Sequence, residues 1–324
     1  MNNSLIALQQ GDLKKKETFE ELIDRFIRDQ DVAVSSKGTY RSALRQFFTW
    51  FSRKRVPDPT RETILDYKKW LDDKGLRTFT RSSYLVAVRR FFEWAESLKL
   101  YPNIARGVKG TRRSTKVHQK DALTIPQIEK VMSIIDKSEL LGVRDYALIN
   151  LLFRTGLRLI EIKRAAIGDM DMKEDGTAIL WVRGKGKDGK DDFVVLTNES
   201  LKPIMRYLKE RKPRNKQEPL FASLSDRNRG QMITIHSLSR LIKQRFRRAG
   251  IDNRRITPHS LRHTFGVMAI RSGSSLYEVQ LAMRHTAPTT TEVYLGDIEQ
   301  AKRMEGGPEK RISELFAGVF EDEE

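Results

Sequence analysis

The chain has 324 residues, with 61 lysines and arginines against 43 aspartates and glutamates and a formal net charge of +18. It is long enough for two domains of ordinary size, and its basic excess favours a polyanionic partner, most commonly nucleic acid, over a merely soluble basic protein. The absence of cysteine excludes disulfides, thiol catalysis and thiolate-bound zinc. No apolar run approaches the roughly 18 residues of a membrane helix, and the amino-terminal sequence lacks the pattern of a secretory signal. We therefore expect a soluble protein of a reducing compartment that contains DNA, with no membrane partner.

Residues 18–106 are predicted to form a helical, DNA-binding domain, preceded by an extension over 1–17. Thr18 and Glu21 form a capping box at the start of its first helix. Two segments of this domain, TYRSALRQFFTWF and SYLVAVRRFFEWA, resemble each other at a constant offset of 44 residues. Because their aromatic residues recur with the helical period, packing in a core is favoured over stacking on bases.

Basic side chains on these two segments are candidates for contacts with DNA phosphates, although a solvated helix face explains them nearly as well. The candidates are Arg41, Arg45, Arg89 and Arg90. Residues 107–121, GVKGTRRSTKVHQKD, are basic and poor in apolar residues, which predicts an interdomain linker. Such a linker, with Arg112 and Arg113 as further DNA contacts, could follow the DNA backbone while the flanking domains close around the duplex.

Residues 122–308 are predicted to form a second, mainly helical domain. A capping pair and a proline at 124–127 mark its first helix, and a longer apolar helix follows at 144–155. The strand signal is confined to TAILWV at 177–182 and DFVVL at 192–196, and the lysine-rich connection between them has the composition of a hairpin turn. The predicted fold class is mainly α, with one small antiparallel sheet.

Three of the chain's five histidines lie between His259 and His285, and Tyr294 follows nine residues later. Arg158 ends the sequence TGLR, His259 and Arg262 stand three apart in HSLRH, and His285 and Tyr294 follow. Guanidinium groups grip phosphate oxygens, imidazoles hydrogen-bond or transfer protons, and a phenol can act as a nucleophile. Taken singly, each residue would be explained by helix packing, but their concentration indicates DNA strand cleavage through a phosphotyrosine.

The ordered motifs TGLRLIEI, VRGKGKDG, TPHSLRHTF and MRH, with the segment around Tyr294, resemble those of the tyrosine recombinases, the phage-integrase and Xer-like site-specific recombinases. The resemblance covers nearly the whole chain and implies a SAM-like core-binding domain, a basic linker and a catalytic domain. It implies that Arg158 and Arg262 bind the phosphate and that Tyr294 is the nucleophile. His259 and His285 take the two histidine positions, the first accepting the tyrosine proton and the second hydrogen-bonding the phosphate.

The resemblance assigns roles to further residues. Lys185, in the GKG of the hairpin, takes the lysine position and would protonate the departing 5′-hydroxyl, with Lys187 and Lys190 as alternatives. Glu161 is expected to orient a guanidinium group, and His263 to pack or to bond locally. The chain departs from the family pattern where Ile160 replaces a serine and where Arg284, a further candidate for DNA binding, replaces a small residue.

The reaction that the resemblance implies forms a 3′-phosphotyrosine and a free 5′-hydroxyl, and the 5′-hydroxyl of a partner strand then attacks. Because one phosphoester replaces another, no cofactor and no metal are expected. The implied partners are double-stranded DNA with paired recombination sites and further copies of the chain, a dimer on each site and a tetramer on two. The expected role is DNA integration, excision, transposition or dimer resolution, in the cytoplasm and at the nucleoid of a prokaryote, encoded by the cell, a phage or a mobile element. The alternatives are a type IB topoisomerase and a non-catalytic DNA-binding protein of the same fold.

The carboxyl-terminal residues 309–324 follow a Gly-Gly-Pro interruption and are predicted to form a short amphipathic helix. Its apolar residues cluster within the helical period, and so short a segment cannot bury them by itself. They are Ile312, Leu315, Phe316, Val319 and Phe320. The tail therefore needs a groove, either in cis on its own catalytic domain or, as the resemblance favours, in trans on a neighbouring subunit.

Overall fold

The computed structural model describes residues 18–56, 59–110, 121–183, 189, 192–285, 287–288, 290–292, 294, 296 and 306–317. The chain divides into two compact units, residues 1–114 and 115–324. None of the helices in the described ranges combines the length and apolar character needed to cross a bilayer.

The described residues of the first unit form four helices, α1 (Phe19–Asp29), α2 (Val34–Lys54), α3 (Arg61–Asp73) and α4 (Thr78–Ser97). The capping box predicted for α1 is confirmed. The N–H of Glu21 donates to the Thr18 hydroxyl over 3.3 Å, and the Glu21 carboxylate accepts the N–H of Thr18 over 2.7 Å. The first turn of α1 is therefore stabilised by hydrogen bonds between residues three apart in the sequence.

The similar segments of the chain form α2 and α4, which pack against each other. Aromatic residues of the two segments pair crosswise, since the ring centre of Phe47 lies 6.0 Å from that of Phe92 and the ring centre of Phe48 lies 5.2 Å from that of Phe91, both edge to face. All four side chains are buried. Such ring pairs add about 0.5–1.5 kcal/mol each beyond the area they bury. The predicted core-packing role of these aromatics is confirmed.

The described part of the first unit extends to Gly110, into the segment predicted to be a linker. Val108 is buried in the core of this unit, and Lys68 of α3 donates to the carbonyl of Lys109 over 2.9 Å. Arg61 of α3 also donates to the carbonyl of Arg106. The start of the predicted linker therefore packs against the first unit. Val108 is buried there, and Arg61 and Lys68 of α3 donate hydrogen bonds to the backbone of residues 106 and 109. Arg112 and Arg113 lie outside the described residues.

The described helices of the second unit are α5 (Ile125–Ser133), α6 (Leu140–Thr155), α7 (Leu159–Arg164), α8 (Asn198–Arg211), α9 (Ile235–Arg248), α10 (Pro258–Arg271), α11 (Leu276–Met283) and α12 (Pro308–Leu315). Helix α6 is buried along most of its length and packs against α8, α9 and α10. It begins four residues before the predicted start at Arg144. This central helix carries the active-site segment that follows it.

A three-stranded antiparallel sheet, in the order β1–β2–β3, lies beside these helices. Its strands are β1 (Met170–Met172), β2 (Ala178–Val182) and β3 (Asp192–Leu196), with Leu180 opposite Val194. The two strands predicted from sequence are present. Strand β1 was not predicted, because three residues reading Met-Asp-Met carry neither β-branched nor aromatic side chains.

A buried carboxylate joins α6 to α9. The Asp145 carboxylate accepts hydrogen bonds from Arg144 over 2.7 Å through one oxygen and from Arg245 over 2.5 Å through the other. All three side chains are less than one-tenth exposed. Because a buried charge is costly when unpaired, this carboxylate is needed to keep two guanidinium groups inside the fold.

Candidate active site

The turn between α6 and α7 positions Arg158. Gly156 ends α6 with a φ of +61°, and a Cβ atom there would lie 2.6 Å from the ring of Phe265. Two residues later, the N–H of Arg158 donates to the carboxylate of Glu161 over 2.7 Å, and its Nη1 donates to the same carboxylate over 2.9 Å. The predicted orienting role of Glu161 agrees with this geometry. The Arg158 side chain remains 27% exposed, so an anion can still reach it.

Arg262 of α10 is buried beside this turn and is 2% exposed. Its Nη1 donates to the carbonyl of Gly156 and its Nη2 donates to the carbonyl of Met283. Burial, reinforced by the positive charge of Arg158, lowers the pKa of Arg262 to about 9. The guanidinium charge is therefore destabilised by its surroundings, and a bound anion would relieve that cost.

Arg284, at the end of α11, completes the cluster. The structure places its side chain inside the cluster, where it is 5% exposed, and not on an open surface. Its Nη2 donates to Glu161 over 2.9 Å, and its backbone carbonyl accepts from Nη2 of Arg158 over 3.1 Å. Three guanidinium groups thus surround the site.

The Glu161 carboxylate is fully buried among these arginines. Burial raises its pKa, but the positive charge of Arg284 and the hydrogen bond from the N–H of Arg158 outweigh that effect, so the pKa lies below its usual value. Glu161 is consequently ionised at neutral pH. One carboxylate against three guanidinium groups leaves a net positive charge, which suits a phosphodiester.

Tyr294 packs in a small apolar cluster with Val267, Val279 and Met283 and is 3% exposed. Residues 290–292 and Tyr294 have helical backbone. The Tyr294 ring centre lies 5.0 Å from that of His263 and 6.2 Å from that of His285. Two of the predicted histidines are therefore neighbours of the predicted nucleophile.

His285 is oriented by Thr291, whose hydroxyl oxygen lies 2.8 Å from Nδ1 of the imidazole. Burial, together with the positive charges of Arg262 and Arg158, lowers the pKa of His285 to about 3. The ring is neutral at physiological pH. A neutral imidazole can donate a hydrogen bond to a phosphate oxygen without adding a charge.

His259 and His263 lie on α10 at different depths. His259 is exposed, and its charge is among the influences that lower the pKa of His285, so it lies within electrostatic range of the site. His263 is 1% exposed and lies against the Tyr294 ring. Its local packing role was predicted, but its contact with Tyr294 was not.

Two residues of the site were missed in the sequence. Thr291 is fully buried and holds His285, and nothing in its local sequence distinguishes it from other threonines. Gly266 lies inside α10, where a Cβ atom would be 2.8 Å from Cε2 of Tyr294 and 3.0 Å from the sulfur of Met283. A glycine within a helical pattern is a signal of close approach that could have identified this position.

Other predicted residues are not brought to this cluster. Lys185 and its alternatives Lys187 and Lys190 lie outside the described residues. In the first unit, Arg45 forms a bidentate ion pair with Glu20, Arg41 pairs with Asp24, Arg90 pairs with Glu93, and Arg89 is exposed. Across the described ranges, no group of three or more histidines, aspartates and glutamates is placed to hold a metal ion.

Comparisons with known proteins identify the family of the chain. The family model described as the phage integrase family matches residues 121–300, and the model of the phage integrase N-terminal SAM-like domain matches residues 19–99. The tyrosine recombinase XerD of Vibrio cholerae is 25% identical over 277 residues, which cover 85% of this chain and 90% of that protein. XerD of Proteus mirabilis is 28% identical over 282 residues, with coverages of 85% and 87%.

Solved structures share the fold. The XerH site-specific recombinase bound to palindromic difH substrate, in a post-cleavage complex, matches with a TM-score of 0.71 and 19% identity, covering 96% of this chain and 100% of that one. The Tn1549 transposon integrase in complex with transposon right end DNA matches with a TM-score of 0.66 and 18% identity, covering 89% and 99%. A mainly helical fold with a small sheet and an N-terminal SAM-like domain is thus confirmed.

Proposed function

Since the chain belongs to the phage integrase family, we propose that it is a tyrosine recombinase that breaks and rejoins DNA at specific sites. The observation that carries this proposal is the meeting of Arg158, Arg262 and His285 beside Tyr294 in one partly buried site. These residues come from three separate parts of the sequence. Two cations, a neutral imidazole and a phenol are the groups required for attack on a phosphodiester without a protein-bound metal.

The arginines stabilise the transition state. When the Tyr294 oxygen attacks phosphorus, negative charge grows on the non-bridging oxygens of the pentacoordinate intermediate. Arg158 is partly exposed and can bind these oxygens directly, while Arg262 supplies a charge whose burial strengthens its interaction with an anion. His285, held neutral, donates a further hydrogen bond to the phosphate.

Proton transfer accompanies each bond change. The Tyr294 hydroxyl loses its proton to His259 as the bond from oxygen to phosphorus forms, because a tyrosine with a pKa near 10 is a weak nucleophile while protonated. The bond to the 5′ oxygen breaks, and that oxygen takes a proton from Lys185. The products are a 3′-phosphotyrosine and a 5′-hydroxyl. Attack by the 5′-hydroxyl of a partner strand, which gives its proton to Lys185, restores the phosphodiester and releases Tyr294, which takes its proton back from His259.

Tyr294 is 3% exposed in the free chain, and DNA binding would make its hydroxyl accessible to the phosphate. The basic residues of the first unit and of segment 107–121 would provide much of that binding by contacting phosphates. Arg89, which is exposed, is the first candidate among them.

The partners in this proposal are double-stranded DNA with paired sites and further copies of the chain, two on each site and four in the assembled pair. Solved structures of the relatives include DNA complexes, among them a lambda integrase dimer bound to a core site. The bacterial XerD relatives support action in the cytoplasm on site-specific targets, and the transposon integrase supports a role in element movement. Sequencing the DNA trapped on Tyr294 identifies the target and distinguishes these roles.

A nicked suicide substrate tests the function. Wild-type protein should form a covalent adduct with the 3′ end of the cleaved strand, and Tyr294→Phe should form none while still binding the site. Arg158→Ala and Arg262→Ala should lose cleavage much more than binding, because the loss lies in the transition state. An adduct retained in Tyr294→Phe would assign the nucleophile to another residue.

The same experiment separates the alternatives. A non-catalytic binding protein gives no adduct with any variant. A type IB topoisomerase gives the adduct but rejoins only the strand it cleaved, whereas a recombinase exchanges strands between two sites. Strand exchange between two differently labelled duplexes is the result we expect.

A further inference from the structure

The backbone of Arg284 adopts a conformation that is unfavourable for its residue type. Arg284 ends α11 in the left-handed region, with φ 55° and ψ 47°. Glycine is the usual residue at such a helix end, because a side chain there crowds the neighbouring carbonyl. Arginine is therefore less favourable than glycine for the backbone at this position, and a favourable interaction of its side chain can offset that cost.

The side chain supplies that interaction. It folds back so that Nη1 donates to the carbonyl of Ala282 over 2.7 Å and Nη2 donates to the carboxylate of Glu161 over 2.9 Å. At 5% exposure the guanidinium is enclosed by protein. Its contact with Glu161 joins it to the arginine cluster.

Arg284 and the residue before it contact the two arginines proposed to bind the phosphate. Its own carbonyl accepts from Arg158, and the carbonyl of the preceding Met283 accepts from Arg262. The carboxylate of Glu161 in turn accepts from both Arg158 and Arg284. Arg158 is therefore held from two directions, through the backbone of residue 284 and through the side chain of residue 284 by way of Glu161.

We propose that Arg284 is a positioning residue for DNA cleavage, fixing Glu161 and through it the guanidinium of Arg158 against the scissile phosphate. This inference rests on the proposed function. The ion pair between Arg284 and Glu161 orients the carboxylate so that one of its oxygens faces Nη1 of Arg158. Without Arg284, Glu161 loses one of its two arginine partners, and Arg158 loses a rigid support.

Three variants test the role of the side chain. Arg284→Gly suits the left-handed backbone but removes the guanidinium, and Arg284→Lys retains a cation without the fork. Lys212→Gly is the matched control, because exposed Lys212 also ends a helix, α8, in the left-handed region with φ 54°. Single-turnover cleavage of a suicide substrate and the Kd for site DNA are measured for each variant, with thermal melting as a check on folding.

We expect Arg284→Gly to slow cleavage on the order of 10- to 100-fold, the loss typical of misplacing a catalytic group, while the Kd changes by no more than about 2-fold. Arg284→Lys should recover part of the rate, and Lys212→Gly should cleave like the wild type. Wild-type cleavage by Arg284→Gly would overturn the proposal. A parallel loss of DNA binding would do so as well, because it would mean that Arg284 contacts DNA directly.

A double-mutant cycle with Glu161→Gln tests whether Arg284 acts through Glu161. If it does, adding Arg284→Gly to the Glu161→Gln variant should slow cleavage by less than about 2-fold. If the double variant's rate loss equals the product of the two single rate losses, Arg284 does not act through Glu161, even if both single variants are slow. Failure of the proposed function gives a different result, since the wild-type protein would then form no adduct on Tyr294.

Discussion

The ring of Tyr294 lies against the backbone of Gly266, so closely that a Cβ atom at position 266 would be 2.8 Å from Cε2 and 2.9 Å from Cζ of the tyrosine. Real Cβ atoms do not approach other atoms so closely. Glycine in the interior of a helix such as α10 costs roughly 0.5–1 kcal/mol relative to alanine. The close approach of Tyr294 accounts for a residue that the helix alone would disfavour.

Gly266→Ala should therefore improve the helix locally and yet displace the Tyr294 ring. We expect cleavage of a suicide substrate to fall by at least about 10-fold, with DNA binding unchanged within about 2-fold. Gly38→Ala is the matched control, because Gly38 lies inside α2 with nothing within 4 Å of its Cβ position. Equal cleavage by the two alanine variants would show that the contact with Tyr294 is unimportant.

The lowered pKa of His285 predicts a loss of stability in acid. Its pKa falls from the usual 6.5 to about 3 in the folded protein, so between these values the unfolded chain binds a proton that the folded chain does not. Stability is therefore full above pH 6.5 and decreases as the pH falls toward 3. Because the side chain is partly exposed, the slope should stay below the limit of about 1.4 kcal/mol per pH unit for one proton.

His285→Asn, which cannot titrate in this range, isolates the effect. Urea unfolding of the DNA-free proteins at pH 7 and pH 4.5 should show the wild type losing more stability than the variant. The charges that face His285 from α7, α10 and α11 are common to both proteins and cancel in the difference. They belong to Arg158, His259, Arg262 and Arg284. An identical pH dependence would contradict the burial of a neutral imidazole.

Asp145 should contribute strongly to the stability of the second unit. Asp145→Ala leaves Arg144 and Arg245 as buried charges without their carboxylate, and removal of one partner from such a group typically costs about 3–5 kcal/mol. The control is Asp226→Ala, because Asp226 is 99% exposed and its ion pair with Arg229 should contribute less than about 1 kcal/mol. Urea unfolding measures both. If both variants lost only a small free energy of unfolding, the cost of burying the Asp145 charge would nearly cancel its attraction to the two arginines.

Lys185 remains the predicted general acid. Lys185→Ala should cleave ordinary DNA slowly and regain its rate on a substrate with a 5′-bridging phosphorothiolate, whose leaving group needs no proton. Lys187→Ala and Lys190→Ala are the controls and should cleave both substrates alike. Rescue of either control variant, in place of Lys185→Ala, would reassign the proton donor.

The carboxyl-terminal helix α12 presents unburied apolar side chains, since Ile312, Leu315 and Phe316 are each at least half exposed. Val319 and Phe320, which were predicted to share this face, lie outside the described residues. We propose that the tail docks in trans on a neighbouring subunit, which would cover these side chains. Deletion of residues 309–324 should weaken cooperative binding to two-site DNA and strand exchange more than binding to a single site. Gel-shift titrations on both DNAs measure this, and an equal loss on both would favour docking in cis.

The parts of the fold that could be predicted depend on neighbours in the sequence. The capping residues Thr18 and Thr124 contact groups three residues away, so their role is visible in the local pattern. Helices α2 and α4 were recognisable because their apolar spacing repeats. Strand β1 has no such pattern and exists because β2 offers it a hydrogen-bonding edge.

The site shows the same limit more sharply. Arg158, Arg262 and Tyr294 could be identified by their motifs, but the arrangement that orients them could not. Arg284 is 123 residues from the carboxylate it binds, and local sequence suggested an exposed DNA contact for it. Thr291 acquires its role only when the fold brings its hydroxyl to His285. Hydrogen bonds of this kind depend on tertiary packing, and the hydrophobic periodicity of the sequence does not reveal them.

Two consecutive carbonyls at the end of α11, those of Met283 and Arg284, accept hydrogen bonds from the two arginines proposed to bind the scissile phosphate. Arg262 also donates to Gly156 and Arg158 also donates to Glu161, so the end of α11 is one shared support among several. A movement of the last turn of α11 would remove one hydrogen bond from each guanidinium group in the same event. Both arginines would then lose part of their orientation together, and not one after the other.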